Sequence, residues 1–239
     1  MTEQNVIVEA FGDLAPNYEH VVDKELKRFW GWSYAGFVSQ LLESVPTDEG
    51  DVILDVATGT ALIPRRLASA DGFRGQIVGL DITLPMLKQG RAYIQENGRD
   101  TPISLTCASA TTMPFPAESF NVVVCGLATH HMDELQLLSE MWRVLKKGGA
   151  LTIADVAAAP QWRFPGVKSL LRAGAFLYFL SAEGAARAWA ESDAVAHVHT
   201  ADEWRTLLDG QGFREINVTK LRSHRRWSPA PLILKAAKI

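Results

Sequence analysis

Three features of this 239-residue chain have the residue types and spacing that chemistry needs. The first is Val52-Ile53-Leu54-Asp55-Val56-Ala57-Thr58-Gly59-Thr60-Ala61, a short apolar run that stops in a glycine turn. Gly59 permits backbone angles and a ligand approach that a Cβ would obstruct. A helix through Leu62, Arg66 and Leu67 follows, and it presents free N–H groups and a positive dipole end to whatever the turn holds. The second feature is Asp81, roughly 20 residues on, a spacing at which a carboxylate accepts hydrogen bonds from ribose hydroxyls. Aspartate also caps helices well, which is the competing role for Asp81. The third is His130-His131, side chains that titrate near neutral pH and can exchange a proton with a substrate. The first two features describe a site for a nucleoside-containing cofactor.

Holding these residues in place requires a parallel sheet with crossover helices. Val52, Ile53, Leu54 and Val56 read as a strand buried on both faces. Further strands are predicted at 76–80, ending in Asp81, and at 103–107, 120–126 and 150–156, with two more around 215–220 and 232–236. Pro64 fits the first turn of the helix after Gly59. A second crossover helix runs through 85–92. Leu135, Leu138, Met141, Trp142 and Leu145 predict a third, with Lys146-Lys147 at its C-terminal dipole and Gly148 as a left-handed cap. Apolar spacings of three and four make 22–42 helical, with a joint near Gly31-Trp32-Ser33 and with Trp30 and Trp32 as core. Thr200-Ala201-Asp202-Glu203 is a capping box that opens a helix through Trp204 and Leu208.

Ala57, Gly59 and Ala61 occupy alternate positions, and the third glycine of the dinucleotide pattern falls at Pro64. No Gly-Lys-Ser/Thr follows, which excludes a P-loop. The run Leu-Asp-Val-Ala-Thr-Gly-Thr instead resembles the first motif of class I S-adenosylmethionine-dependent methyltransferases, in the branch that includes the ubiquinone and menaquinone C-methyltransferases. Asp81-Ile82-Thr83-Leu84-Pro85-Met86-Leu87 matches that family's Asp-x-x-x-x-Met-Leu motif. Ala108 to Pro116 resembles its Gly-Asp-Ala-x-x-Leu-Pro-Phe-Pro segment, and Arg143 to Gly149 its Arg-x-Leu-Lys-Pro-Gly-Gly turn. Ala15-Pro16-Asn17-Tyr18 is similar to a segment that opens many members. The likeness is specific over 52–156.

The resemblance implies an α/β fold: a doubly wound, Rossmann-like, seven-stranded, mostly parallel sheet with a C-terminal antiparallel strand. It implies one methyltransferase domain over 1–239, with an N-terminal helical arm at 1–48 and a cofactor-binding core at 49–156. A helical cap insert at 157–200 and a C-terminal helix with strands at 201–239 complete it. S-adenosylmethionine would be carried by the loop at Asp55, Ala57, Thr58, Gly59 and Thr60. Asp81 would hold the ribose, Ile82 and Met86 would flank the adenine side, and Ser109 and Ala110 would meet the adenine edge. Cys125 and Gly126 would lie at the strand end where ligands of open sheets bind. Tyr18 either covers the cofactor or anchors the arm. Ala61, Ser109 and Asn121 replace a glycine and two aspartates of the pattern, and the Ala61 methyl is expected to narrow the cofactor's approach.

A sulfonium methyl is already activated, so the protein's main task is to align the nucleophile and exclude water. A base is needed only where the acceptor must lose a proton. His131, then His130, is the candidate, although paired histidines in relatives with different substrates favour a structural role. No Asp/Glu/His spacing suggests a metal. The acceptor implied is small and apolar, because Val167–Leu180 and Ala185–Ala196 make a greasy cap, unless these segments pack on the core or on a partner subunit. C-methylation of a quinone precursor and O- or N-methylation of a secondary metabolite are the leading variants. A fold relative that binds the cofactor without methyl transfer is the alternative, and a nicotinamide oxidoreductase is disfavoured by the glycine pattern.

Composition is that of an ordinary globular protein, 47% hydrophobic and 21% charged, and the net charge of −3 gives no reason to expect a nucleic-acid surface. No apolar run reaches the ~20 residues of a spanning helix. Two cysteines, Cys107 and Cys125, and an N-terminus without a signal-peptide pattern point to the cytoplasm.

Overall fold

The computed structural model describes residues 3–70, 73–96, 103–224 and 229–239. In chain order, α1 (Glu3–Leu14), α2 (Tyr18–Phe29) and α3 (Tyr34–Leu42) precede β1 (Val52–Val56), α4 (Leu62–Ala68), β2 (Gln76–Asp81), α5 (Leu84–Glu96) and β3 (Ile103–Cys107). Then come β4 (Phe120–Gly126), α6 (Glu134–Val144), β5 (Leu145–Ala157), α7 (Val167–Ala182), α8 (Ala185–Ala194), α9 (Ala201–Gly210), β6 (Arg214–Lys220) and β7 (Ala230–Ala237). The seven strands lie in the order β3-β2-β1-β4-β5-β7-β6, and β7 runs antiparallel to both its neighbours. The order reverses between β1 and β4, so a crevice opens beyond their carboxyl ends.

The apolar sides of the sheet explain the layers. Leu54, Val56, Val123 and Ile153 pack with α6 and α9 through Leu138, Met141 and Trp204. Ile53, Val122 and Val124 pack on the other face against Phe37, Leu41, Ile63 and Leu67 of α3 and α4. Each such side chain, fully buried, contributes ~1.5–3 kcal/mol. The predicted joint is real: α2 and α3 are separate, with Gly31 at φ +81° between them. Trp30 is core, and its indole donates to Pro229 O at 2.7 Å.

Residues 3–14 are helical. Two local expectations are corrected. The core face of α6, which Asp133 caps, is Leu137, Leu138, Met141 and Val144, while Leu135 is exposed. That helix ends at Val144. Lys146 and Gly148 lie in β5, where Lys146 donates to Asn121 Oδ1 and the Gly148 amide, at φ +76°, donates to Lys238 O. The box at Thr200 and Glu203 forms as read.

Candidate active site

The site grows from the turn after β1. Ala57, Gly59 and Ala61 all adopt left-handed angles, at φ +57°, +53° and +59°. Two of the three are alanines, each held there at a strain of roughly 1 kcal/mol. The Asp81 carboxylate fixes the turn from β2: Oδ2 accepts from the Gly59 amide at 2.8 Å and Oδ1 from the Thr83 amide at 2.7 Å. Asp81 is therefore both a cap and a cavity wall. Burial raises its pKa, against the amides that lower it.

A cavity of about 820 Å³ lies over this turn, within the ~300–1,000 Å³ of small-molecule sites. Ala57, Gly59, Asp81, Ile82, Met86, Ser109, Ala110, Gly126 and Tyr18 line it, as do both histidines. Asp55, Thr58, Thr60 and Cys125 stand behind the wall. Thr58 Oγ1 donates to Asp55 Oδ2 at 2.5 Å, and Thr60 Oγ1 donates to Glu19 Oε1 at 2.8 Å, so these groups brace the loop. Cys125 is core, its thiol pKa raised by burial. Burial also pushes the Asp55 carboxyl up to about 8, and its Oδ1 has no hydrogen-bond partner.

The three departures from the family pattern have structural explanations. The Ala61 methyl points at α5, not into the cavity, and Gly90 makes room for it: a Cβ on Gly90 would lie 3.3 Å from Ala61 Cβ and 2.9 Å from the Thr60 carbonyl carbon. The expected narrowing is therefore absent. Ser109 Oγ accepts from the Thr111 amide and lies 2.9 Å from Thr111 Oγ1, so much of its capacity is used within its own turn. Asn121 begins β4 at the opposite end of the sheet, where its Oδ1 accepts from Val52 N and Lys146 Nζ.

After β4 the chain is turned by Leu127, a non-glycine residue at φ +57° whose amide donates to Ala154 O at 2.7 Å. Strain of this kind persists where surrounding structure dictates it, and here it aims the next residues across the sheet end. Thr129 donates through both its amide and its hydroxyl to Asp155 Oδ2. His130 Nδ1 lies 2.6 Å from Asp155 Oδ1. Burial opposes charge on His130, yet Asp155 outweighs it and the pKa is raised. His131 is the reverse: burial, then the neighbouring His130, lower its pKa. Its Nε2 is 3.4 Å from Glu191 Oε1 of α8, and its buried Nδ1 has no hydrogen-bond partner.

Several site residues gave no local signal in the sequence. Phe11 of α1 lines the cavity and sets its ring 5.1 Å from that of His131. Asp155 sits inside an apolar strand. Glu191 arrives from α8, 60 residues beyond His131 in number and beside it in space. The chain thus brings together His130, His131 and Glu191, a set of metal-ligand type that sequence spacing had not revealed. Arg187 Nη1 already lies 3.1 Å from the same Glu191 Oε1, so a cation would have to displace a guanidinium, and the set reads as an ion-pair network. The cap is also less greasy than expected. Its cavity face comes largely from α8, with Trp189, Ala190 and Asp193, while α7 leaves Leu170 and Leu177 exposed.

Residues 54–153 match the family described as "Methyltransferase domain". A demethylmenaquinone methyltransferase of Listeria welshimeri is 30% identical over 176 residues, covering 72% of this chain and 70% of its own. A ubiquinone/menaquinone biosynthesis C-methyltransferase of Neisseria meningitidis is 32% identical over 153 residues, covering 62% and 59%. Among solved structures, phosphoethanolamine N-methyltransferase 2 of Haemonchus contortus, in complex with S-adenosyl-L-methionine, superposes with a TM-score of 0.66 at 16% identity, covering 86% of this chain and 53% of that one. The fold, with its cavity at the switch point, is that of the class I S-adenosylmethionine-dependent methyltransferases. The chain belongs to this family, in the branch of the ubiquinone and menaquinone C-methyltransferases. It is an enzyme that uses S-adenosylmethionine.

The wall fits that cofactor. Gly59 lines the cavity, and a Cβ there would project against Tyr18 Cε1 at van der Waals distance, 3.7 Å, so glycine keeps that space for a ligand. The carboxylate of Asp81 keeps lone pairs for hydroxyl donors after accepting one amide on each oxygen. No described helix is long and apolar enough to cross a membrane.

Proposed function

We propose that this enzyme methylates a small, apolar-bodied acceptor bearing an ionisable ring hydroxyl, of the quinone-precursor type, with His130 as general base. The observation that carries the reading is the His130–Asp155 pair: a histidine on the cavity wall whose Nδ1 is held at 2.6 Å by a buried carboxylate. That arrangement fixes the tautomer that leaves Nε2 unprotonated, and it supports the imidazolium formed when Nε2 takes a proton. His131, ranked first from the sequence alone, has no such partner on Nδ1 and sits beside a base whose charge lowers its own pKa.

In this reading Gly59, Asp81, Ile82, Met86, Ala110 and Gly126 hold the cofactor, and residues 157–200 cover the acceptor. When bound, the cofactor supplies an electrophilic methyl whose S–C electron pair passes to sulfur. Leu127 and Ala128 lie on the wall beyond β4, next to the histidines. Tyr18 and Phe11 close that side of the cavity, which keeps water from the reacting atoms. His130 accepts the hydroxyl proton as the ring carbon or the oxygen forms its bond to the methyl carbon. The relatives named for menaquinone and ubiquinone synthesis support a quinone-related acceptor.

The test is transfer of labelled methyl from S-adenosylmethionine to one- and two-ring phenols, with mass analysis of the product. Methylated ring product that falls ~10²-fold or more in His130→Ala, at unchanged cofactor affinity, supports the reading. Methylation of amines alone, or full activity in His130→Ala, would overturn it.

A further inference from the structure

Three consecutive residues of the turn after β1 are each held by a carboxylate. Thr58 Oγ1 donates to Asp55 and the Gly59 amide to Asp81, and both carboxylates belong to the sheet. Thr60 is held from elsewhere. Its hydroxyl donates to Glu19 Oε1, 2.8 Å away at the start of α2, and Arg65 Nη2 of α4 donates to the same oxygen. One residue of the N-terminal arm therefore closes the turn from outside the sheet. Arg65 is itself fixed, its guanidinium carbon 4.8 Å from the centre of the Tyr93 ring of α5.

Glu19 does not line the cavity, but its neighbour does. The Tyr18 ring lies on the side of Gly59 where a Cβ would stand, and packs edge-on against Phe11 and Tyr34. Before Tyr18 a single 3₁₀ turn, Ala15–Asn17, leads back to α1, whose Val6, Ile7 and Phe11 line the cavity. After Glu19, α2 is anchored in the core through Val22 and Leu26. Glu19 thus stands at the joint between the part of the arm packed in the core and the part that covers the cavity. It keeps 29% of its side chain exposed and Arg65 18%. An ion pair this accessible contributes little to stability. Its consequence lies in what it positions.

We propose that Glu19 is a positioning residue for the cofactor. By holding Thr60 and Arg65 it seats Tyr18 over Gly59 and keeps α1 across the cavity, so that S-adenosylmethionine leaves when this contact opens. The inference rests on the reading that the cofactor lies against Gly59 and Asp81, and it is independent of the acceptor and of His130.

The test is calorimetric titration with S-adenosylhomocysteine, together with the rate of its release, in Glu19→Ala, Tyr18→Leu and the double variant. Glu19→Ala should weaken binding about 10-fold, most of it through faster release. Tyr18→Leu should weaken it comparably. The double variant should be within about twofold of the weaker single one, because Glu19 acts through Tyr18. Glu19→Gln, which keeps an acceptor oxygen for the Thr60 hydroxyl, should recover most of the affinity. If Glu19→Ala does not fold, Thr60→Val removes that hydroxyl at nearly constant shape and should also speed release. A residue that merely braces the fold would lower Tm and leave the release rate alone. Unchanged release in a folded Glu19→Ala, or losses that multiply in the double variant, would overturn the proposal. Normal binding in Asp81→Ala would instead overturn the placement of the cofactor, and this role with it.

Discussion

Asp155 Oδ1 lies 2.6 Å from His130 Nδ1, while Oδ2 of the same carboxylate takes both the amide and the hydroxyl of Thr129. One buried side chain on β5 thus sets the turn after β4 and the orientation of the imidazole at its end. Asp155→Asn should separate these duties. It keeps an acceptor for Thr129 and removes the charge that supports the imidazolium. Turnover should fall ~10²-fold while the dissociation constant for S-adenosylhomocysteine stays within about twofold. Combining it with His130→Ala should add little further loss, since the two act as one unit. Additive losses in the double variant would assign Asp155 a separate role.

Asp81 is a second dual-purpose carboxylate. From the sequence, Asp81→Ala is expected to weaken cofactor binding with the fold intact. The structure adds a cost, because the Gly59 and Thr83 amides lose their acceptor. Denaturant unfolding should show a loss of ~1–3 kcal/mol, alongside a calorimetric loss of cofactor affinity of at least ~10-fold. A variant that binds normally would remove Asp81 from the ribose role.

The Ala61–Gly90 contact can be probed from both sides. Ala61→Gly relieves a left-handed alanine, a gain of ~1 kcal/mol, and empties a buried methyl site, a loss of ~0.8 kcal/mol, so stability should barely change. Gly90→Ala should instead destabilise by ~1–3 kcal/mol, despite alanine's better helix propensity, because its Cβ meets the Thr60 backbone. Thermal unfolding of the two variants checks both. A stabilised Gly90→Ala would mean that the loop yields freely.

Asp55 makes a pH prediction. Its folded pKa, about 8, lies above the ordinary 3.8, so the stability it contributes is full below about pH 4 and declines as pH rises through 8. Asp55→Asn removes this titration. The variant should gain on the wild type as pH goes from 6 to 9, read as a growing difference in Tm. A constant difference across that range would show that Asp55 is ionised throughout.

The sheet was legible because its strands are short, apolar and β-branched, and because turn glycines and caps punctuate them. The cavity wall was legible where residues follow one another along the chain, as at Gly59, Asp81–Ile82 and Gly126. What the sequence hid is what depends on distance in the fold. Asp155 reads as one more strand residue until β5 pairs with β4 and brings it to His130. Arg187 and Glu191 lie in a segment with no motif, and only the fold of α8 turns them inward. Asp55, Thr58 and Thr60 belong to the motif and Cys125 to the end of β4, yet they brace the loop or fill the core from behind the wall. A sequence motif records both kinds of residue without distinguishing them.

The most direct test of the account is the pH dependence of kcat/KM for methylation of a phenolic acceptor, in the wild type and in Asp155→Asn. The wild type should show an acid limb in which activity is lost as His130 becomes protonated. Removing the Asp155 charge lowers the His130 pKa, so the limb should move to lower pH while the plateau falls. A limb that stays in place in Asp155→Asn, or a profile flat below the acceptor's own pKa, would contradict His130 as the base.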